Sequence, residues 1–249
     1  MTQRTVLITG AGGGMCRGIN RRLADAGHRL VLVDVSEAGV TRAREELGEA
    51  SAGAHAFAAN LTDEADVAGL VDAVASEVGP VDALVNAAGI LDRLPLVDCT
   101  VADFRRSIEV NLVAPYAMIR AFTPGMVERG WGRVVNISSI AGLTGYPYPS
   151  YAASKGGLTN LTRALVVDFK GTGVTINAIN PGVVDTPMVI QSVRDAVADK
   201  VPTETVIDPE EIGGLVAHLL TDDARNINGA NLLIDGGAIS YFQLIDPRG

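Results

Sequence analysis

The stretch TGAGGGMCRG, Thr9 to Gly18, follows the apolar run TVLIT (5–9) and opens a helical pattern over 17–26. Strand, glycine-rich turn, helix is the order that a phosphate-binding turn requires. Glycines let the backbone double back and let a phosphate approach the amides. The helix N-terminus adds free N–H donors and the positive end of its dipole. Gly10 and Gly14 keep the turn and the approach, but Cys16 stands where a third glycine is expected. That glycine serves mainly helix–strand packing, and cysteine is small and often buried. The turn is therefore expected to survive with a slightly displaced helix. A second reading gives Cys16 a thiol activated by the helix dipole and a redox-sensitive role.

Outward from this turn, short apolar runs alternate with longer amphipathic ones. The strand-like runs are 5–9, 30–35, 55–59, 82–87, 133–138, 174–180 and 231–235. Most are rich in Val, Ile and Leu without polar alternation, the pattern of strands buried on both faces of a parallel sheet. Helix-like stretches fall at 17–26, 36–49, 63–78, 101–128, 151–169 and 209–221. Ser36, Thr62 and Asp208 read as N-caps, the last followed by Pro209 and two acids. The βαβα order predicts one α/β domain over 1–249, doubly wound (Rossmann), with a parallel sheet of about seven strands and helices on both faces. Residues 183–207 break the rhythm. They are long and mixed and follow a strand's carboxyl end, so they are expected to form a substrate lid.

The bulk numbers narrow the function. The net charge of −9 argues against nucleic-acid partners, which are held largely by Lys and Arg. No apolar run is long enough for a membrane span, and MTQRTVLITG enters a strand with no apolar leader, so export is not expected. Cys16 and Cys99 have neither metal nor redox spacing, and His28, His55 and His218 are scattered, so no metal is expected. A reducing cytoplasm fits.

Asp34 ends the second strand, 24 residues after Gly10. A carboxylate there accepts from the adenosine ribose hydroxyls and repels a 2′-phosphate. Val35, Ser36 and Gly13 bring no cation to offset it, so NAD is expected over NADP. Downstream, Tyr151 and Lys155 stand four apart, on one face of a helix. A free phenol titrates near 10, and a nearby ammonium favours the phenolate, which makes the pair an activated proton donor or acceptor. In VVNISS (134–139), Ser138 and Ser139 close a strand at the sheet edge where ligands bind.

Here the chain resembles the short-chain dehydrogenases/reductases, over nearly its whole length. The resemblance rests on TGAGGGMC (9–16), NAAG (86–89), Asn111 in EVNLVAP, ISS (137–139) with YAASK (151–155), and PGVVDTP (181–187), in that order. It implies a catalytic set of Asn111, Ser139, Tyr151 and Lys155. Tyr151 would exchange a proton with the substrate oxygen. Lys155 would lower the Tyr151 pKa and bond the nicotinamide ribose. Ser139, the second of its pair, would hold the substrate oxygen, and Asn111 a water leading from Lys155 to solvent. Around the dinucleotide the resemblance implies Gly10, Gly14, Met15, Asp34, Asn60, Leu61, Asn86, Ala87 and Gly89, then Tyr151 and Lys155, then Pro181, Gly182, Val184 and Thr186. It also implies a homo-oligomer, a tetramer or dimer.

The substrate pocket is expected to include Ser139, Tyr151, Ala141, Tyr146, Val183 and Met188, with Leu143, Tyr148 and Val189 nearby. It is apolar with phenols and holds no fixed cation, although Arg93 or Arg194 could enter it on closure. The expected activity is hydride transfer between NAD(H) and a secondary alcohol or ketone of low charge. Two alternatives stand beside it. One is a 3-oxoacyl-[acyl-carrier-protein] reductase-like enzyme, against which Asp34 and the segment AGLTGYPYPSY argue. The other is a non-catalytic NAD-binding regulator, against which the intact Ser, Tyr, Lys and Asn argue. The tail AISYFQLIDPRG (238–249) either packs on a neighbour or lines the pocket.

Overall fold

The computed structural model describes residues 2–187 and 189–240, and the side chains of all of these except Ser51 and Ala52. Seven parallel strands form one sheet in the order β3-β2-β1-β4-β5-β6-β7. They are β1 (Thr5–Thr9), β2 (Arg29–Asp34), β3 (His55–Ala58), β4 (Ala83–Asn86), β5 (Gly132–Ile137), β6 (Val174–Pro181) and β7 (Asn231–Ile234). The order reverses between β1 and β4. The chain leaves β1 and β4 there toward opposite faces of the sheet, and such a switch point is the place where open α/β sheets bind ligands.

The helices are α1 (Cys16–Asp25), α2 (Glu37–Glu45), α3 (Glu64–Glu77), α4 (Val101–Ile108), α5 (Ala114–Glu128), α6 (Pro149–Ala164), α7 (Gln191–Lys200) and α8 (Pro209–Leu219). They cover both faces. On one side Ile19, Leu23, Ile212 and Val216 pack on Val6, Ile8, Val85 and Val135. On the other Leu70, Val74, Met118 and Met126 pack on Leu7, Val31, Leu84 and Val134. This two-sided burial is why the strands read as unbroken apolar runs.

The cap of α3 is Asp63, one residue later than the sequence suggests, because its carboxylate accepts from both Ala65 N and Asp66 N. The long helix expected over 101–128 is α4 and α5 joined by a π-turn, Glu109–Val113. Within 183–207 lies α7, an exposed helix with only Val197 buried. Its flanks are tied together by a Val184–Ile207 bridge and by Ile207 N donating to Val183 O at 2.9 Å.

Cys16 takes the helix–strand contact of the third glycine, and a separate close approach, between helices, falls on Gly18. A Cβ there would stand 2.1 Å from the Pro209 carbonyl carbon, where α1 crosses α8, and one on Gly213 would stand 2.4 Å from Gly18 O. Gly18→Ala is therefore expected to destabilise the fold by about 1–3 kcal/mol through overpacking. Gly69→Ala, in α3 with nothing within 4 Å of the added carbon, is expected to stabilise it by about 0.5–1 kcal/mol. Urea unfolding of the two variants checks both signs.

Candidate active site

The glycine turn is held in shape from three sides. Gly10 has φ +66°, and a Cβ there would meet Ala88 Cα at 2.7 Å. Thr9 Oγ1 accepts from Ala87 N and Ala88 N, both at 3.1 Å, tying β1 to the end of β4. Asp34 at the end of β2 accepts from Gly12 N and Ser36 N, each at 3.0 Å. Gly14 faces Thr186 and Pro187, whose side chains lie 3.1–3.4 Å from where its Cβ would be. A cavity of about 780 Å3 opens beside this contact, lined by Gly14, Arg17, Thr186, Pro187 and Arg194 among others. It lies at the turn and at the base of the 183–207 segment, not over Tyr151.

Cys16 corrects the redox reading. It is 1% exposed, with Sγ facing Thr9 O at 3.9 Å. Burial, then the Asp34 carboxylate, pushes its thiol up to about 12. The helix dipole is outweighed because the side chain turns into the core instead of toward the free amides. Sequence reasoning also passed over Arg42, whose Nη2 donates to Gly12 O at 3.3 Å and so brings a cation to the loop that Asp34 anchors. A side chain eight residues beyond Asp34 reaches the loop only because α2 folds back, which no local pattern announces.

Tyr151 and Lys155 both sit on α6. Lys155 is 4% exposed, and Nζ donates to Ile137 O at 2.9 Å. Burial lowers its pKa to about 8. Further contacts fix α6 in place. Ser138 Oγ donates to Lys155 O at 2.8 Å and so accepts from Thr159 Oγ1, also at 2.8 Å, and Thr159 Oγ1 lies 3.0 Å from the Asn180 side-chain amide. Asn136, which takes Asn86 as a donor, itself donates to Thr162. The short 3₁₀ turn Ile140–Gly142 rests on the Lys155–Gly156 backbone so closely that a Cβ on Gly142 would come within 2.5 Å. Ser138 is thus committed to packing, whereas Ser139 faces Tyr151.

The lysine was expected to lower the Tyr151 pKa, but in the chain alone the phenol is pushed up. Burial dominates, the Ser139 hydroxyl pulls down, and Tyr146 adds a further upward push. Lys155 Nζ stands 5.9 Å from the Tyr151 ring centre and turns toward Ile137. Asn111 lies in the π-turn, the kind of helix defect that often marks a functional site. Its side chain is fully engaged, accepting from Ile90 N at 2.8 Å and donating to Ile90 O at 2.9 Å and to Ser154 Oγ at 3.0 Å. Ser154, buried and donating to Tyr151 O, is a clamp that its serine identity alone did not signal.

Other expected residues divide by location. Ala87 and Gly89 line the crevice. A Cβ on Gly89 would stand 3.1 Å from Asn111 Oδ1 and 3.3 Å from Lys155 Nζ. Asn86 is buried between strands, its Oδ1 without a partner. Asn60 accepts from Thr62 at the approach to α3, and Leu61 packs against the core. Met15 starts α1 and packs against the opposite core. Pro181 pairs with Ile234, Gly182 N donates to Ile234 O, and Val184 bridges to Ile207. Ala141 is buried within the 3₁₀ turn, and the Tyr146 ring lies edge-on to Tyr148 at 5.4 Å and tilted against Tyr151 at 5.9 Å between centres. Val183 accepts from Ile207. Met188, Tyr241 and Phe242 lie outside the described residues.

The residues fit a nicotinamide dinucleotide. The Lys155 ammonium has three hydrogens and one acceptor, leaving donors for ribose hydroxyls. No acid occupies the first turn of α1, and no side chain caps it. The Asp34 carboxylate waits at the edge of the turn.

A family model described as short chain dehydrogenase matches residues 4–196. The cis-4-hydroxycyclohexanecarboxylate dehydrogenase of Sinomonas cyclohexanicum is 37% identical, over 94% of this chain and 96% of its own. An acetoacetyl-CoA reductase of Allochromatium vinosum is 35% identical, over 96% and 99%. The crystal structure of a levodione reductase superposes with a TM-score of 0.89 at 32% identity, covering 97% of this chain and all of the other.

The buried thiol gives a direct check. At pH 8 iodoacetamide is expected to modify Cys99 in the folded chain and to leave Cys16 unmodified until urea exposes it. Mass spectrometry of the two peptides reads the outcome, and rapid labelling of Cys16 in the folded state would contradict the burial.

Proposed function

We infer, from the fact that the chain belongs to the short-chain dehydrogenase family, that it moves a hydride between NAD(H) and a secondary alcohol or ketone of low charge. Members of the family are oxidoreductases of carbinol or keto groups and work with a nicotinamide cofactor, NAD or NADP. The observation that carries the finer reading is the buried Lys155 ammonium. It has unused donors beside the Gly89 opening, and Tyr151 and Ser139 stand at the rim above it.

A bound nicotinamide supplies the hydride donor or acceptor. The chain's part is to position and polarise. The substrate oxygen would sit between the Ser139 hydroxyl and the Tyr151 phenol. Ser139 donates to it and steadies the charge that develops there. In ketone reduction Tyr151 gives its proton to that oxygen; in alcohol oxidation it takes one. Lys155, with its pKa near 8, is mostly charged at neutral pH and would hold the ribose and restore the proton. Any water relay at Asn111 would fall to its backbone carbonyl, because its side chain is bonded to Ile90 and Ser154. The 183–207 segment, hinged at Val184 and Ile207, would close over the substrate.

NAD is preferred in this reading because the Asp34 carboxylate repels a 2′-phosphate. Arg42 at Gly12 O offsets part of that repulsion. The exposed Val113, Tyr116 and Val167 suit contact between copies of the chain in a homo-oligomer. The unpaired Cys16 and Cys99 suit a reducing compartment such as the cytoplasm.

Four outcomes test the reading. Tyr151→Phe is expected to lose at least about 100-fold in turnover with folding intact, the scale of general acid–base help. Because Tyr151 is held above its ordinary pKa, alcohol oxidation is expected to climb through the alkaline range while ketone reduction does not. Nicotinamide fluorescence titrations should give NADH at least about tenfold tighter than NADPH, or about 1.4 kcal/mol. Arg42→Ala should widen that gap.

A further inference from the structure

We propose that the substrate carries one carboxylate remote from its reacting carbon, and that Arg93 at the rim of the site receives it. The proposal deepens the oxidoreductase reading given above and rests on it.

Strands β4 and β5 are neighbours, with Asn86 opposite Asn136. The loops that leave them, 87–100 and 138–148, therefore rise side by side from the same sheet edge. The first loop is pinned at its base. Ile90 is held by both polar ends of the Asn111 side chain. Asp92 is held by Arg106 Nη2 at 3.0 Å and by Ser107 Oγ at 3.4 Å. Arg93 follows directly and is exposed.

Among the described residues Arg93 has no ion-pair or hydrogen-bond partner, and the acid beside it already serves Arg106. The other cation expected near the pocket, Arg194, is paired with Asp185. So the rim keeps one uncompensated guanidinium on the Tyr146 side. Its charge reaches Tyr146, where it acts against the upward push of burial and of Tyr148 on that phenol. The net shift is still upward, which keeps Tyr146 a neutral O–H donor.

The phenols are neighbours. Tyr151, which handles the reacting oxygen, lies 5.9 Å from Tyr146 between ring centres, and Tyr146 lies 5.4 Å from Tyr148. Arg93, exposed on the loop that rises beside the one carrying Tyr146, is near enough for its charge to act on that phenol. One guanidinium with a neutral phenol gives charge-assisted donors for a single carboxylate. A pyrophosphate would need more cations than the rim provides. A short hydroxy acid or keto acid places its carboxylate there while its carbinol or keto oxygen rests between Ser139 and Tyr151.

The test uses acetoacetate and levulinate, each as the acid and as its methyl ester, with cyclohexanone and acetoacetyl-CoA, all reduced with NADH by the full chain. Expected is a kcat/KM for at least one acid about tenfold or more above its ester, the scale of a hydrogen bond to a charged group. Arg93→Gln should lose that preference through a rise in KM, and Arg93→Lys should recover part of it. Acids and esters turned over alike, or a preference insensitive to Arg93, overturns the carboxylate and leaves the oxidoreductase reading standing. Preference for the CoA thioester over every free acid also overturns it. Absence of turnover with every ketone, cyclohexanone included, overturns both readings.

Discussion

A lysine ammonium buried under a sheet edge without a carboxylate is the constraint around which this structure is organised. Burying a charge is costly unless hydrogen bonds replace water. Lys155 finds one such bond, to Ile137 O. It can do so only if α6 lies flat against the ends of β5 and β6. The Ser138–Thr159–Asn180 and Asn86–Asn136–Thr162 chains hold it there. Gly142 lets the intervening turn press onto the helix backbone. Losing any of these links would tilt the helix that carries Tyr151 as well as the lysine. Packing and chemistry share the same atoms here, so a change aimed at one acts on the other.

The second organising contact is the meeting of β1 and β4 at the point where the strand order reverses. Thr9 gives one hydroxyl to two successive amides, of Ala87 and Ala88. That fixes the NAAG segment against the glycine turn, and Gly10 fills the approach because no side chain fits. From there the loop runs to Ile90, where Asn111 grips it from the π-turn. The side chains of Thr9 and Asn111 thereby tie the glycine turn to the NAAG segment and, through Ser154, to the Tyr151 backbone.

Most of the fold was legible in the sequence because parallel strands covered on both faces leave a strong signal. All seven appear within a residue or two of their apolar runs. What the sequence hid was context. The π-turn at Asn111 lies inside a stretch that reads as ordinary helix, since nothing in residue type marks a shifted hydrogen bond. Cys16 looked like a thiol at a helix end, yet its fate depended on which way the side chain turned. Gly18 carries the close packing of α1 on α8, and only the position of α8 reveals it. Arg42 and Ser154 act across gaps in the sequence, so no local pattern could name them.

The titrating groups of the site oppose one another. Burial pushes the Tyr151 phenol up and the Lys155 ammonium down, so each is driven toward its neutral form. At neutral pH the phenol keeps its proton and the lysine, near 8, keeps most of its charge. The chain alone therefore does not supply an activated phenolate. A ligand that offers acceptors to the unused ammonium hydrogens stabilises the charged lysine and raises its pKa. By linkage, its binding is strongest where that proton is already present, below about pH 8, and weakens as pH rises through the lysine's titration.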